Sequence, residues 1–180
     1  MNNPRDLALK RLIRLLQDAH AGELAAFHAY DGHFKSVRDP KERQEIKKIR
    51  DEEWEHRECL ARFLGEIGAA PRPAREFKMK CVGLTIGFLC RIGGWLIPMY
   101  GAGKLESGNI VEYEIAARLA FTAGRHEWIS PLLHMAEVEW DHEIYFRQKF
   151  LSHPLGRYLP MWPLPPPRTE IRAKGPQALS

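Results

Sequence analysis

The sequence predicts an all-α protein whose simplest architecture is a four-helix bundle. Apolar residues recur at steps of three and four along four long stretches, which is the spacing of one helix face. The alternation with period two that marks a half-buried strand is not sustained in any stretch. The length of 180 residues suits one domain with a sizeable core.

The first two helices are predicted over residues 6–34 and 40–67. Helix 2 has the clearer start, because Asp39 suits an N-cap and Pro40 suits the first helical position. Its end is marked by Gly68, a residue that commonly follows the last turn of a helix. The two helices are therefore expected to form one hairpin.

Two further helices are predicted over residues 103–123 and from Ser130 to Leu151. Helix 4 begins where Ser130 offers an N-cap and Pro131 follows it in the first turn. We therefore expect residues 1–151 to form the bundle domain.

Residues 81–103, between helices 2 and 3, are almost wholly apolar, and Arg91 is their one charged residue. About 20 apolar residues are enough to cross a bilayer, but Arg91, Pro98 and several glycines argue against a span. Two interpretations stay open. The segment is either an apolar crossover connection packed on the bundle or a bent amphipathic element lying on a membrane surface.

The C-terminal tail, residues 152–180, contains seven of the thirteen prolines. Proline lacks the backbone N–H that a helix interior needs. We therefore expect the tail to be extended or partly disordered and to lie outside the bundle.

Charge and cysteine content exclude several classes of protein. The net charge of +4 is too mild for a nucleic-acid-binding protein. The three cysteines are an odd number and lack C-x-x-C spacing, so we do not expect a fold held by disulfides. This cysteine content indicates a reducing compartment. The N-terminal residues lack the apolar core of a signal peptide. We therefore expect a cytoplasmic protein, with peripheral contact to the inner face of the membrane if residues 81–103 meet lipid.

The string Glu-x-x-His occurs twice, as EWEH at 53–56 and as EWDH at 139–142. On helix 2 it interrupts an apolar face, and on helix 4 it does the same. The helix 2 face reads Ile46, Ile49, Glu53, His56, Leu60, Phe63 and Ile67, and the helix 4 face reads Leu132, Met135, Glu139, His142 and Phe146. Residues three apart share one side of a helix, so each pair points into the core.

Helices 1 and 3 each offer one inward glutamate near their middle. On helix 1 this is Glu23, and on helix 3 we select Glu112 from the face that also carries Leu105 and Asn109. Glu106 and Glu114 compete for the role on helix 3. They lie about 120° and about 200° around the helix from Glu112, so only one of the three can face the site.

Four carboxylates and two imidazoles aimed at one core require compensating cations, because unpaired buried charges are costly. One glutamate from each of two helices and Glu-x-x-His from each of the other two is the pattern of carboxylate-bridged di-iron and di-manganese sites. Oxygen and nitrogen ligands without thiolate favour two iron ions, with manganese as the alternative. The predicted ligands are Glu23, Glu53, His56, Glu112, Glu139 and His142. His20 either hydrogen-bonds a ligand carboxylate or is a packed core histidine.

Four strings around these residues resemble the demethoxyubiquinone hydroxylase family, ferritin-like di-iron proteins of ubiquinone biosynthesis. They are HAGELAAFHAY, RDEEWEH, NIVEYEI and EVEWDH, and the resemblance extends over residues 13–146. It implies a ferritin-like four-helix bundle and ligand roles for the same six residues. It also implies that the apolar region between helices 2 and 3 contacts the membrane and admits a quinone. The chain departs from the family in its proline-rich tail.

The resemblance implies a di-iron monooxygenase that uses O2 to hydroxylate a hydrophobic, quinone-like molecule at a membrane surface. No flavin or nicotinamide motif is present in the sequence, so the electrons are expected from an external donor, and a homo-oligomer is compatible with the bundle. Two alternatives stay open. One is a ferroxidase or rubrerythrin-like peroxidase, and the other is a non-enzymatic, metal-stabilised interaction module that uses its tail.

Overall fold

The computed structural model describes residues 3–173, and this part of the chain contains helices and no β-strand. The prediction of an all-α fold is therefore confirmed. Short 3₁₀ turns precede and follow α5, at His126–Trp128 and Gly156–Tyr158. The six helices are α1 (Pro4–Ser36), α2 (Pro40–Glu66), α3 (Pro73–Ile92), α4 (Leu96–Thr122), α5 (Ile129–Ser152) and α6 (Arg168–Ala173).

The start of α2 is formed as the sequence predicts. Asp39 has extended backbone angles, and its side chain accepts a 2.8 Å hydrogen bond from the backbone N–H of Glu42. The carboxylate of Glu42 accepts a 2.8 Å bond from the indole N–H of Trp95, a residue far along the chain. Gly68, with φ of +67°, follows the end of α2 in the left-handed conformation that glycine favours.

The apolar segment 81–103 is helical, apart from a break at residues 93–95. Its first part belongs to α3 and its last part to α4, so the third predicted helix begins at Leu96 and not at residue 103. Gly94 has φ of +73° and ends α3, while Pro98 lies in the first turn of α4, where a missing N–H costs no hydrogen bond. Within residues 3–173, no helix combines the length and the apolarity that a membrane span requires.

Two compact units can be distinguished, and Leu16–Pro98 is the first. Within it, α3 approaches α1 so closely that glycines are required at the contact. A Cβ added to Gly83 would overlap the backbone of Ala25, and one added to Gly32 would overlap the backbone of Gly87. The spacing of Gly83 and Gly87 puts both on one side of α3. Large apolar side chains of the same helix are exposed, namely Phe77, Leu84, Phe88, Leu89 and Ile92.

The second unit comprises the described residues of Met1–Leu15 and Met99–Ser180. Here the proline-rich tail runs along α5. The indole N–H of Trp140 donates a 2.9 Å bond to the Pro166 carbonyl, and Arg172 donates bonds of 2.7 and 2.8 Å to the Glu137 carboxylate. The expectation of an extended tail fits residues 159–167, which are not helical, whereas α6 was not predicted. Residues 174–180 of the predicted tail lie outside the described part of the chain.

The three cysteines lie on α2 and α3. Cys59, Cys81 and Cys90 are all free thiols.

Candidate metal centre

Five of the six predicted ligands are buried on the helices that the sequence assigns to them. Glu23 lies on α1, Glu53 and His56 on α2, and Glu139 and His142 on α5. Both Glu53 and Glu139 are 0% exposed. The apolar residues predicted to share these faces are buried too, among them Ile46, Ile49 and Leu60 on α2 and Leu132, Met135 and Phe146 on α5.

On α4 the buried carboxylate is Glu106, which is 1% exposed, while Glu112 is only half-buried. The inward side of α4 follows from its earlier start, because it is defined by Met99, Ala102, Glu106, Ile110 and Tyr113 at steps of three and four. Leu105, which the sequence interpretation placed on the core face beside Glu112, is 61% exposed. The structure therefore places Glu106, and not Glu112, on the inward side of α4.

Two groups of four buried side chains could each hold a metal ion. In each group, one ligand atom from every residue lies within 4.8 Å of the others. Glu53 and Glu139 occur in both groups. The first group is Glu23, Glu53, His56 and Glu139, and the second is Glu53, Glu106, Glu139 and His142. The structure thus brings together five predicted residues with Glu106, and Glu112 belongs to neither group.

The six side chains suit metal ions better than lysine or arginine as the source of compensating positive charge. Four of the six side chains are carboxylates, and burying them without a nearby positive charge is costly. In residues 3–173 every lysine and arginine side chain is at least partly exposed, whereas all four carboxylates are buried. Oxygen and imidazole ligands without thiolate suit iron or manganese.

Comparison with known proteins gives an independent result. The family model described as ubiquinone biosynthesis protein COQ7 matches residues 9–107, which is more than half of the chain. The chain belongs to the COQ7 family. This family takes part in ubiquinone biosynthesis, and the sequence-based resemblance is confirmed. Comparisons with curated proteins and with solved structures gave no match.

The matched part of this COQ7 family chain includes Glu23, Glu53, His56 and Glu106. Glu106 is oriented by a neighbour one turn away, since the side-chain amide of Asn109 donates a 3.0 Å bond to its Oε2. On α5, which lies beyond the match, Nδ1 of His142 is 3.5 Å from Oε2 of Glu139. Neighbouring polar groups of this kind fix the orientation of ligand side chains.

His20 of this COQ7 family chain is buried and hydrogen-bonds Glu76 on α3. Its Nδ1 lies 2.8 Å from Oε1 of Glu76, while Arg57 on α2 lies 2.7 Å from the other oxygen and donates a 2.6 Å bond to the His20 carbonyl. Burial lowers the pKa of His20, although the hydrogen bond to Glu76 raises it. Burial raises the pKa of Glu76, but the bonds from Arg57 and His20 outweigh it, and the net pKa is lowered. The role of Glu76 could not be predicted from the sequence, because the contact joins residues 56 positions apart.

A further buried carboxylate, Glu143, was not anticipated from the sequence. It follows Glu139 by one turn and is 0% exposed. Its Oε1 accepts a 2.6 Å bond from the indole N–H of Trp162 and a 2.8 Å bond from Nε of Arg147. The four-residue spacing from Glu139 was a signal for its burial, but its partner Trp162 lies in the tail, and sequence spacing does not reveal that contact.

Proposed function

We propose that this chain is a di-iron monooxygenase that hydroxylates a hydrophobic, quinone-like molecule. One observation carries the proposal: two groups of buried carboxylates and imidazoles share Glu53 and Glu139. A pair of carboxylates common to two metal positions is what a bridged two-metal centre needs. Membership of a family of ubiquinone biosynthesis supports the quinone-like substrate.

In this proposal Glu53 and Glu139 would each contribute to both iron positions. Glu23 and His56 complete the first, and Glu106 and His142 complete the second. The ligands come from α1, α2, α4 and α5, so the proposal includes a ferritin-like bundle of these four helices. Manganese is the alternative metal.

The side chains of the chain have separate tasks in the proposed reaction. The four carboxylates would hold the metal ions and offset their positive charge, and the two imidazoles would complete the set of ligands. Burial of all six side chains excludes water from the centre. When bound, two iron ions supply the redox chemistry with O2 that hydroxylation of a ring requires. The electrons are proposed to come from an external donor.

We place the entry of the hydrophobic substrate at α3 and the first turn of α4. Phe77, Phe88, Ile92 and Ile97 are 72%, 61%, 68% and 71% exposed, an unusual degree for large apolar residues. Lysines 78 and 80 and Arg91 are exposed on α3 as well. Apolar and basic side chains together suit the surface of an anionic bilayer, which supports peripheral contact through residues 81–103 at the inner face of a membrane.

The test is to load the purified chain with Fe(II) and to supply O2, a chemical reductant and a demethoxyquinone analogue. The expected result is a product heavier by one oxygen atom, with about two iron ions bound per chain. Glu53→Gln is expected to lose both iron ions and the activity, because Glu53 belongs to both groups. Glu55→Gln, an exposed position on the same helix, is the matched control and should keep both.

Three results would contradict or redirect the proposal. Fewer than one metal ion per chain after loading would contradict the metal centre itself. Two bound iron ions with fast peroxide or iron turnover, but without an oxygenated quinone, would replace the hydroxylase by the ferroxidase or rubrerythrin-like peroxidase. Metal-loaded protein without any reactivity toward O2 or peroxide would favour the interaction module. The homo-oligomer stays a prediction, which light scattering of the same sample addresses.

A further inference from the structure

Trp162 of the tail contacts both helices that bear Glu106, Glu139 and His142. The tryptophan is 5% exposed although it lies in a proline-rich segment. A Cβ added to Gly103 on α4 would overlap its six-membered ring, so the ring lies directly against the α4 backbone. Its indole N–H donates a 2.6 Å bond to Glu143 on α5.

These two contacts lie next to proposed metal ligands in the chain. Gly103 precedes Glu106 by three residues, and Glu143 follows Glu139 by four and His142 by one. One helical turn is about 5.4 Å. A shift of either contact is therefore transmitted over a single turn to a ligand, and ligand side chains need their positions fixed within about 0.5 Å.

Arg147 and neighbouring rings hold Trp162 in place. The guanidinium of Arg147 lies 4.9 Å from the centre of the indole ring and donates a 2.8 Å bond to the Pro163 carbonyl. The rings of Tyr100 on α4 and Phe150 on α5 lie 5.3 and 5.8 Å from that of Trp162. Trp162 thus has aromatic contacts with both helices, in addition to its hydrogen bond.

Glu143 is fully buried, so it needs the hydrogen bonds that Trp162 and Arg147 donate to it. Its Oε1 receives the bonds from Trp162 and Arg147, while Oε2 has no hydrogen-bond partner among residues 3–173. When a buried carboxylate loses one of its few hydrogen-bond donors, the free-energy cost of keeping it buried rises. The turn of the helix that carries it then shifts to reduce that cost. Such a movement would begin at the residue that directly follows His142.

We infer that Trp162 is a positioning residue that sets the separation of α4 and α5 at the second metal position. The inference rests on the proposed two-metal centre, and it assigns the tail a role in the reaction that is separate from ligation. It predicts that the second group of ligands, Glu53, Glu106, Glu139 and His142, binds its metal less tightly when the Trp162 contacts change. The two contacts can be changed one at a time, from the tail and from α4.

The test is a titration of the full chain with Co(II), followed by the visible absorption of the bound ion and by chelator competition. Wild type is expected to bind two ions in two resolvable steps. Trp162→Phe keeps an aromatic ring but removes the indole N–H, and it should weaken one step by about tenfold or more, as loss of a group that orients ligands does. The other step should stay within about twofold of wild type.

A second variant approaches the same contact from α4. Gly103→Ala improves the helix propensity of α4 but displaces the Trp162 ring, and it should weaken the same step. Gly108→Ala is its matched control, because a Cβ there meets nothing within 4 Å, and both of its steps should equal those of wild type. A melting curve of each metal-free variant shows whether the fold is kept.

The outcomes separate the inference from the proposed function. If wild type binds two Co(II) ions and the folded variants at positions 162 and 103 bind both with unchanged affinity, the positioning role is wrong and the two-metal centre stands. Equal weakening of both steps together with a lower melting temperature would show a purely structural tail and would also overturn the inference. If wild type binds no Co(II), the metal centre and the positioning role fail together.

Discussion

Replacing Glu106 and Glu112 by glutamine, one at a time, tests how α4 contributes to the site. Glu106 is 1% exposed and belongs to the second group of ligands, whereas Glu112 is half-buried and belongs to neither. Removing one partner from a buried charge pair costs about 3–5 kcal/mol. Each tenfold change in affinity corresponds to about 1.4 kcal/mol, so Glu106→Gln should weaken binding of the second metal ion by roughly two to four orders of magnitude. Glu112→Gln should change it by less than about tenfold.

The metal-free protein should respond in the opposite direction. Without metal, Glu106 adds one of four buried carboxylates, and its neutralisation relieves repulsion and desolvation. Glu106→Gln should therefore raise the melting temperature of the metal-free chain and lower that of the metal-loaded chain. Elemental analysis and paired melting curves measure both effects. Loss of metal from Glu112→Gln, with full loading of Glu106→Gln, would refute the assignment of the ligand on α4.

Three further predictions concern stability and membrane contact. Burial lowers the pKa of His33 from 6.5 to about 4, so the folded state disfavours its protonated form and stability falls as pH drops from 6.5 towards 4. In urea unfolding, the contribution of His33 to the free energy of unfolding should be about 2 kcal/mol smaller at pH 5 than at pH 7. His33→Gln should abolish this difference between the two pH values. Gly83→Ala should destabilise the fold by about 1–3 kcal/mol or more because the added Cβ meets the Ala25 backbone, and an unchanged denaturant midpoint would contradict the close contact. Phe88→Glu should reduce sedimentation with anionic vesicles without lowering the melting temperature, since Phe88 is 61% exposed; undiminished sedimentation would argue against membrane contact through α3.

The features that depend on local spacing were predictable from the sequence. The Asp39 cap and the start of α2 follow from a few adjacent residues, and the structure forms both. Glu53 and His56 share one helix side because they are three apart, and the same holds for Glu139 and His142. Their burial followed from the apolar residues that continue each side.

The structure buries Glu106 on α4 where the sequence favoured Glu112, and the difference depends on where the helix begins. The sequence predicts a helix that begins at residue 103, with a core face that starts at Leu105. The structure continues α4 back to Leu96, so Met99 and Ala102 set the inward side and Glu106 falls on it. A glycine-containing stretch can stay helical when tertiary contacts outweigh its weak propensity.

The docking of the tail could not be predicted, because its contacts join distant parts of the chain. Trp162 reaches Gly103, and Arg172 reaches Glu137 across 35 positions. The prolines correctly excluded a long helix but said nothing about which surface the extended backbone would follow. The same reason applies to the bond between His20 and Glu76.

The contact between α1 and α3 leaves α3 with an unusual distribution of side-chain size. Its smallest residues, Gly83 and Gly87, face the protein, and large apolar residues such as Phe88 and Ile92 face outward. Substitution is therefore limited by volume on one side of the helix and by polarity on the other. The two limits are independent, so α3 could exchange one large outward residue for another while its seat on α1 stays unchanged. If the proposed hydrophobic substrate meets α3, differences in its length or breadth would be matched by the outward residues, without a change in the contact with α1.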